Sequence, residues 1–384
     1  MSIISTYLVP HPPLIFPEIG RGEERKIETT IKAYRAVAAE IAEIDPDTII
    51  LLSPHAPSFV DYFYIFPNTS ANGNMSEFNA PEVQLTMEYD TNFAETLAQI
   101  CQNENFPAGD DGDLDPKLDH ATMVPLRFIS QNRQFKFVRI GITSLSLDSH
   151  YRLGQLIAKT AEQLNRRVVV VASGDLSHRL KNSGPYGFAP EGPKFDKAVR
   201  QTITSGDLQQ LLDFSPEFCD QAGECGHRPL IIMAGCIGER PIEPKLLSYQ
   251  GPFGVGYGVA SFHIVESDYV KLARQTVETY IKSNQTIENP EELFLSLSTE
   301  TAGVFVSIKK LGELRGCIGT IQATEPSIAR EIVANAISAA SQDPRFNPIA
   351  THELPELSYS VDILQPPEPV SDSDKLNPTI YGVI

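Results

Sequence analysis

A chain of 384 residues exceeds the roughly 150 residues of a typical domain, so two or three folded units are expected. Its 31 basic and 49 acidic side chains leave a net charge of −18, which repels phosphate backbones and anionic membrane surfaces and argues against nucleic acid as a partner. Hydrophobic residues at 41% and charged residues at 21% describe a globular chain rather than a disordered one.

The first segments alternate in period. Residues 3–9 (IISTYLV) read as a strand and 22–43 as an amphipathic helix with Ile27, Ile31, Tyr34, Val37 and Ile41 on one face. Residues 47–53 (DTIILLS) then read as a buried strand, completing a β-α-β unit. A helix near 91–103, a strand at 136–142, a helix near 149–164 and a strand at 167–173 (RVVVVAS) continue the pattern. The fold class expected is α/β, with a mostly parallel central sheet flanked by helices. Helices follow at 193–204, 206–213, 215–221 and 226–237, then strands near 245–250 and 256–265 around the glycine-rich GPFGVGYG.

Beyond this point the texture changes. A helix at 268–283, a polar NQTIENPEE linker, paired strands at 303–309 and 313–321, a helix at 325–341 and a strand at 357–364 make a second, smaller α+β module. The boundary is placed near 266, giving units 1–266 and 267–384. The terminal TIYGVI reads either as a last strand or as the point where the second module is cut short.

The N-terminal segment lacks a basic region and is interrupted by Pro10, Pro12 and Pro13, so it reads as strand and loop rather than a targeting signal. No uninterrupted apolar run reaches the ~18 residues of a membrane span. Five cysteines, odd in number and without a CxxC pair, suit a reducing cytoplasm and exclude a zinc ribbon.

In open α/β sheets, sites form beyond the carboxyl ends of the strands. His11 follows the first strand in VPHPPL, His55 follows the second in LSPHAP, and His178 follows RVVVVAS in SGDLSH. Singly, each would be an ordinary surface or capping residue; together they point to a common site. His120 begins the apolar helix ATMVPLRFI after the acidic loop GDDGDLDPKLDH, which lacks EF-hand spacing. Glu224, Cys225 and His227 precede another apolar helix, where a carboxylate can simply favour the helix dipole. Two strand-end histidines with Glu224 also make the donor set of a two-histidine, one-carboxylate Fe(II) triad, although zinc accepts the same donors. A Ser177/His178/Asp175 hydrolase set fails on spacing, because three residues within four positions do not make a nucleophile–base–orienter line.

The motifs VPHPPLI, LSPHAP, LDHATMVPL, SGDLSH and AGECGHRPLIIMAG, in that order over about 1–265, resemble the class III extradiol ring-cleavage dioxygenases of the LigB/Memo-like superfamily. The resemblance implies an oxidoreductase opening a catechol-type aromatic with dioxygen. It implies iron ligands at His11, His55 and Glu224, an acid–base histidine at His178 with Asp175 orienting its ring, and a further site residue at His120. CGHRP also resembles the Memo branch, whose metal site uses three histidines and whose pocket holds a cysteine at the position of Cys225. That branch implies a non-enzymatic redox-metal (iron or copper) or partner-binding protein.

The second module is similar to the AMMECR domain through GELRGCIGT, SQDPRF and LSYSVDILQPPEP, and that family runs past TIYGVI, which implies truncation. Chains joining both modules resemble the group called AmmeMemoRadiSam system protein A, which implies a radical-SAM partner. The resemblance also implies assembly as a homo-oligomer. Cys317 reads as a buried thiol at a glycine bend, with a reactive thiol as the alternative.

Overall fold

The segments IISTYLV, TIILLS and VVVVAS are apolar almost throughout, and each forms a strand buried on both faces, as the interior of a parallel sheet requires. The computed structural model describes residues 2–131, 133–294, 300–310 and 312–366, and the chain divides into two units between Val265 and Glu266.

In chain order the first unit contains β1 (Ile3–Val9), α1 (Pro17–Gly20), α2 (Glu28–Ile44), β2 (Thr48–Ser53), β3 (Phe63–Tyr64), β4 (Ser70–Met75), β5 (Ala80–Tyr89) and α3 (Thr91–Asn103). It continues with β6 (Ala108–Gly109), α4 (His120–Ile129), β7 (Lys136–Gly141), α5 (Leu147–Gln163), β8 (Val168–Ser173), α6 (Glu191–Ser205), α7 (Pro216–Ala222), α8 (His227–Ile237), β9 (Ile242–Gln250) and β10 (Tyr257–Ile264). The main sheet has the order β4-β5-β7-β2-β8-β1-β10-β9. Strands β5, β7, β2, β8 and β1 are parallel, while β4 pairs antiparallel with β5, and β10 with both β1 and β9.

Side chains alternate across this sheet, so β2 feeds two cores. Ile50 and Leu52 pack with Leu153, Ile157 and Leu230 of α5 and α8, and Ile49 and Leu51 pack with Tyr34, Val37 and Val124 of α2 and α4. The consequence for function lies in the order β2-β8-β1. The strands preceding His55, His178 and His11 are immediate neighbours and parallel, so the three histidines emerge at one edge of the sheet.

One expected element differs in type, and strands also form where none is expected. The antiparallel hairpin β4–β5 occupies a stretch with no strong strand pattern, and 208–213 is a 3-10 helix rather than an α-helix. Among the described residues, no helix is long and apolar enough to cross a membrane.

The second unit contains α9 (Asp268–Ser283), α10 (Pro290–Leu293), β11 (Val304–Lys310), β12 (Glu313–Gly319), α11 (Ile328–Ser341) and β13 (Leu357–Ile363). Its antiparallel sheet runs β12-β11-β13, and Val304, Val306 and Ile308 pack against Leu272 and Val277 of α9 and Ile332 and Ala336 of α11. The TIYGVI segment lies outside the described residues.

Candidate metal centre

His11 is buried, and its ring is aimed by its neighbours. The Ser173 hydroxyl, at the end of β8, donates to the Ala121 carbonyl at 2.7 Å, so it accepts from His11 Nδ1 at 3.0 Å. The proton is therefore on Nδ1, and Nε2 presents its lone pair toward Cys225. Tyr34 of α2 donates to the Pro10 carbonyl and pins the same loop. His55 is exposed, with its backbone N–H donating to Ser53 Oγ at 3.3 Å. The ring centroids of His11 and His55 are 5.0 Å apart, and His120 stacks on His55 at 4.6 Å. His120 opens α4, whose N-cap is Asp119.

The third converging group is a thiol. Cys225 Sγ lies 3.5 Å from His11 Nε2 and 3.6 Å from His178 Nε2. Ligand atoms of His11, His55 and Cys225 all fall within 4.8 Å of one another. The Glu224 carboxylate turns the other way: Oε2 accepts from the His227 N–H at 2.6 Å and groups with Cys219 and His227. Of the residues expected as ligands, His11 and His55 are brought together with Cys225, the alternative site residue, while Glu224 faces His227. The reason is local, since Gly223 ends α7 in a left-handed conformation (φ 62°) and the next two residues point to opposite sides of the turn.

Asp175, expected to orient the His178 ring, contacts the His11 loop. Its buried carboxylate accepts the backbone N–H of His11 at 2.9 Å, fixing the loop that carries that histidine. Ser177 donates to the Ala222 carbonyl at 2.8 Å, which ties the SGDLSH loop to the end of α7. The two loops touch through glycines: a Cβ on Gly174 would land on Gly226 Cα, and one on Gly226 would meet the Asp175 carbonyl at 2.9 Å. Sequence reading missed Ser173, whose only signal was its place at the end of VVVVAS.

Burial sets the charge state here. It holds His11 well below the ordinary imidazole range, helped by His55, His120 and His178, and it lowers His120 and His178 to about 4. Unprotonated imidazoles are what a metal or a substrate proton needs. Burial also pushes Glu224 and Asp175 up to about 7 and the Cys225 thiol well above its usual value.

A mixed, mostly parallel sheet with histidines following three adjacent parallel strands is the arrangement of the extradiol-dioxygenase-like fold. The chain belongs to the family described as the catalytic LigB subunit of aromatic ring-opening dioxygenase, whose model matches residues 5–260, and an AMMECR1 domain matches 270–384. A Clostridium acetobutylicum protein is 37% identical over 417 aligned residues, covering 100% of this chain and 89% of its own. A Thermotoga maritima protein is 48% identical over 122 residues, 32% of this chain and 70% of its own. The crystal structure of an uncharacterised Pyrococcus horikoshii protein is 35% identical, covering 27% of this chain and 53% of that one, with a TM-score of 0.25.

Proposed function

We propose that the first unit carries a mononuclear redox-metal centre, with His11, His55 and Cys225 as protein ligands and His178 beside them. The observation that supports this is the placement of Cys225 Sγ between His11 Nε2 and His178 Nε2, with Glu224 occupied at the His227 N–H. Two imidazoles and a thiolate are a donor set for iron, copper or zinc and a poor one for magnesium or calcium. A bound iron or copper ion supplies Lewis acidity and electron exchange with dioxygen. Ser173 holds His11 in the ligating tautomer, and Asp175 holds its backbone.

Extradiol cleavage of a catechol-type aromatic with Fe(II) is the second reading. It is favoured by the neutral His178 and His120, which are suited to accept a hydroxyl proton. Aromatic rings also border the histidines: Tyr186 lies 5.1 Å from His178 and Phe78 5.3 Å from His120. This reading needs Glu224 to leave the His227 N–H and turn to His11 and His55.

Metal analysis of anaerobically prepared protein, followed by oxygen uptake with catechols, separates the two. Bound iron or copper that is lost in Cys225→Ser and kept in Glu224→Gln supports the thiolate-bound centre. Catechol-dependent oxygen uptake abolished by Glu224→Gln and His178→Ala, but kept by Cys225→Ser, would replace it with the dioxygenase reading.

A further inference from the structure

A second set of donors converges where α7 ends and α8 begins. Cys219 Sγ, a Glu224 carboxylate oxygen and a His227 ring nitrogen lie within 4.8 Å of one another. Cys219 and His227 are buried, and Glu224 is partly exposed. The tautomer of His227 follows from its partners. Nε2 is 2.8 Å from the Leu211 carbonyl, which can only accept, so Nε2 carries the proton and Nδ1 presents a lone pair. That lone pair faces Cys219 Sγ at 3.4 Å.

The spacing fits a shared ion. With sulfur at about 2.3 Å and imidazole nitrogen at about 2.0–2.1 Å from a tetrahedral zinc, the two donors sit roughly 3.5 Å apart. The ring is already fixed on its far side, where Phe214 stacks on it at 5.4 Å and 12°. The Nε2–H bond to a backbone carbonyl is the outer contact that zinc-ligating histidines commonly make. One Glu224 oxygen is held by the His227 N–H, and the other can face the ion.

We propose that Cys219, Glu224 and His227 form a zinc site separate from the centre at His11 and His55. A thiolate and a carboxylate balance the charge of the dication and outweigh the positive end of α8, which opposes a cation there. On binding, the Cys219 S–H proton passes to solvent, and the S–H···N contact becomes a sulfur–zinc–nitrogen bridge. The ion ties the last turn of α7 to the first of α8, one residue from Cys225, and so fixes the direction of that thiol. A fourth position remains for water. This inference stands on its own residues and does not depend on what the His11 centre does.

The test is titration of chelator-stripped protein with Zn(II) in equilibrium dialysis and with Co(II) as an optical probe of thiolate ligation. Two equivalents are expected for the unaltered chain. Cys225→Ser retains one site with a thiolate-to-cobalt band, and adding Cys219→Ser removes that band and weakens Zn(II) binding there by at least roughly 10–100-fold. Serine can still donate to His227 Nδ1, so the fold is kept, which circular dichroism checks. His227→Gln gives the same loss by another route. A Cys225→Ser protein with no thiolate-to-cobalt band, or with one that survives Cys219→Ser, overturns the proposal. If Cys225→Ser leaves the metal count unchanged while Cys219→Ser lowers it by one, the reading of the His11 centre fails and this one stands.

Discussion

Arg139 is wholly buried, and its Nη1 lies 3.5 Å from Asp119 Oδ2. The guanidinium also donates to the carbonyls of Lys117 and Pro116 and stands 3.8 Å over the Phe66 ring. Asp119 in turn accepts from Ser53 Oγ at 2.7 Å and from the Thr122 N–H at 3.0 Å. One carboxylate therefore joins the end of β2, which carries His55, to the start of α4, which carries His120. Asp119→Ala removes a helix cap and strands a buried cation, and each effect destabilises. The expected loss is about 3–5 kcal/mol in urea unfolding, because an unpaired buried charge dominates it. A loss below about 1 kcal/mol would mean that Arg139 finds its compensation among the loop carbonyls alone.

Ser173→Ala tests how His11 is held. The variant leaves Nδ1–H without its acceptor and frees the ring to rotate, while removing only one hydroxyl from a packed strand end. Metal affinity at the His11 centre should fall by roughly 10–100-fold, in line with the loss of other outer partners of metal-bound histidines. Isothermal titration of the apo protein with Fe(II) under anaerobic conditions measures this. Unchanged affinity would assign the orientation of His11 to Asp175 and Tyr34 instead.

Gly174→Ala addresses the contact between the two loops. The added methyl would overlap Gly226 Cα, and neither partner is a side chain that can swing away. The SGDLSH loop must then separate from the turn bearing Cys225, carrying His178 Nε2 away from the thiol. Overpacking of this kind costs about 1–3 kcal/mol. The Cys225-dependent share of metal binding should fall more than the stability of the unit, and metal stoichiometry measured beside a thermal melt distinguishes the two. A variant that binds metal normally would show that the loops can move apart without loss.

The strand-end histidines were legible because two short-range signals sufficed: apolar runs that only a doubly covered strand can bury, and a histidine directly after each. Their convergence followed from topology, since a parallel sheet carries such ends to one edge. The hairpin β4–β5 was not legible, because SANGNM contains glycine and two asparagines where β-branched residues would mark a strand. The choice between Glu224 and Cys225 was hidden for a different reason. Adjacent residues after a left-handed glycine point in opposite directions, and which one faces the histidines depends on a turn whose conformation is set by tertiary contacts with Gly174. Arg139 was equally silent, being one charged residue in the strand KFVRIG, with partners brought from a distant loop.

His150 supplies a pH dependence away from the histidine cluster. It is fully buried on α5, its Nδ1–H donating to the Ser146 carbonyl at 2.8 Å and its Nε2 accepting from the Thr143 N–H at 3.4 Å. Only the neutral ring satisfies both contacts, and burial lowers its pKa from the ordinary 6.5 to about 4. As pH falls below 6.5, the unfolded chain takes up a proton that the folded chain refuses. The contribution of His150 is therefore complete above pH 6.5, declines from there to about 4, and levels off below that value. The slope approaches about 1.4 kcal/mol per pH unit for one group. His150→Gln should be less stable than the unaltered chain at pH 7, and the gap should narrow on acidification as one protonation is removed from the balance. Urea unfolding at several values between pH 7 and 4.5 measures the gap. Parallel curves for the two proteins would mean that His150 takes up its proton in the folded state as readily as in the unfolded chain, with Thr143 then losing its acceptor.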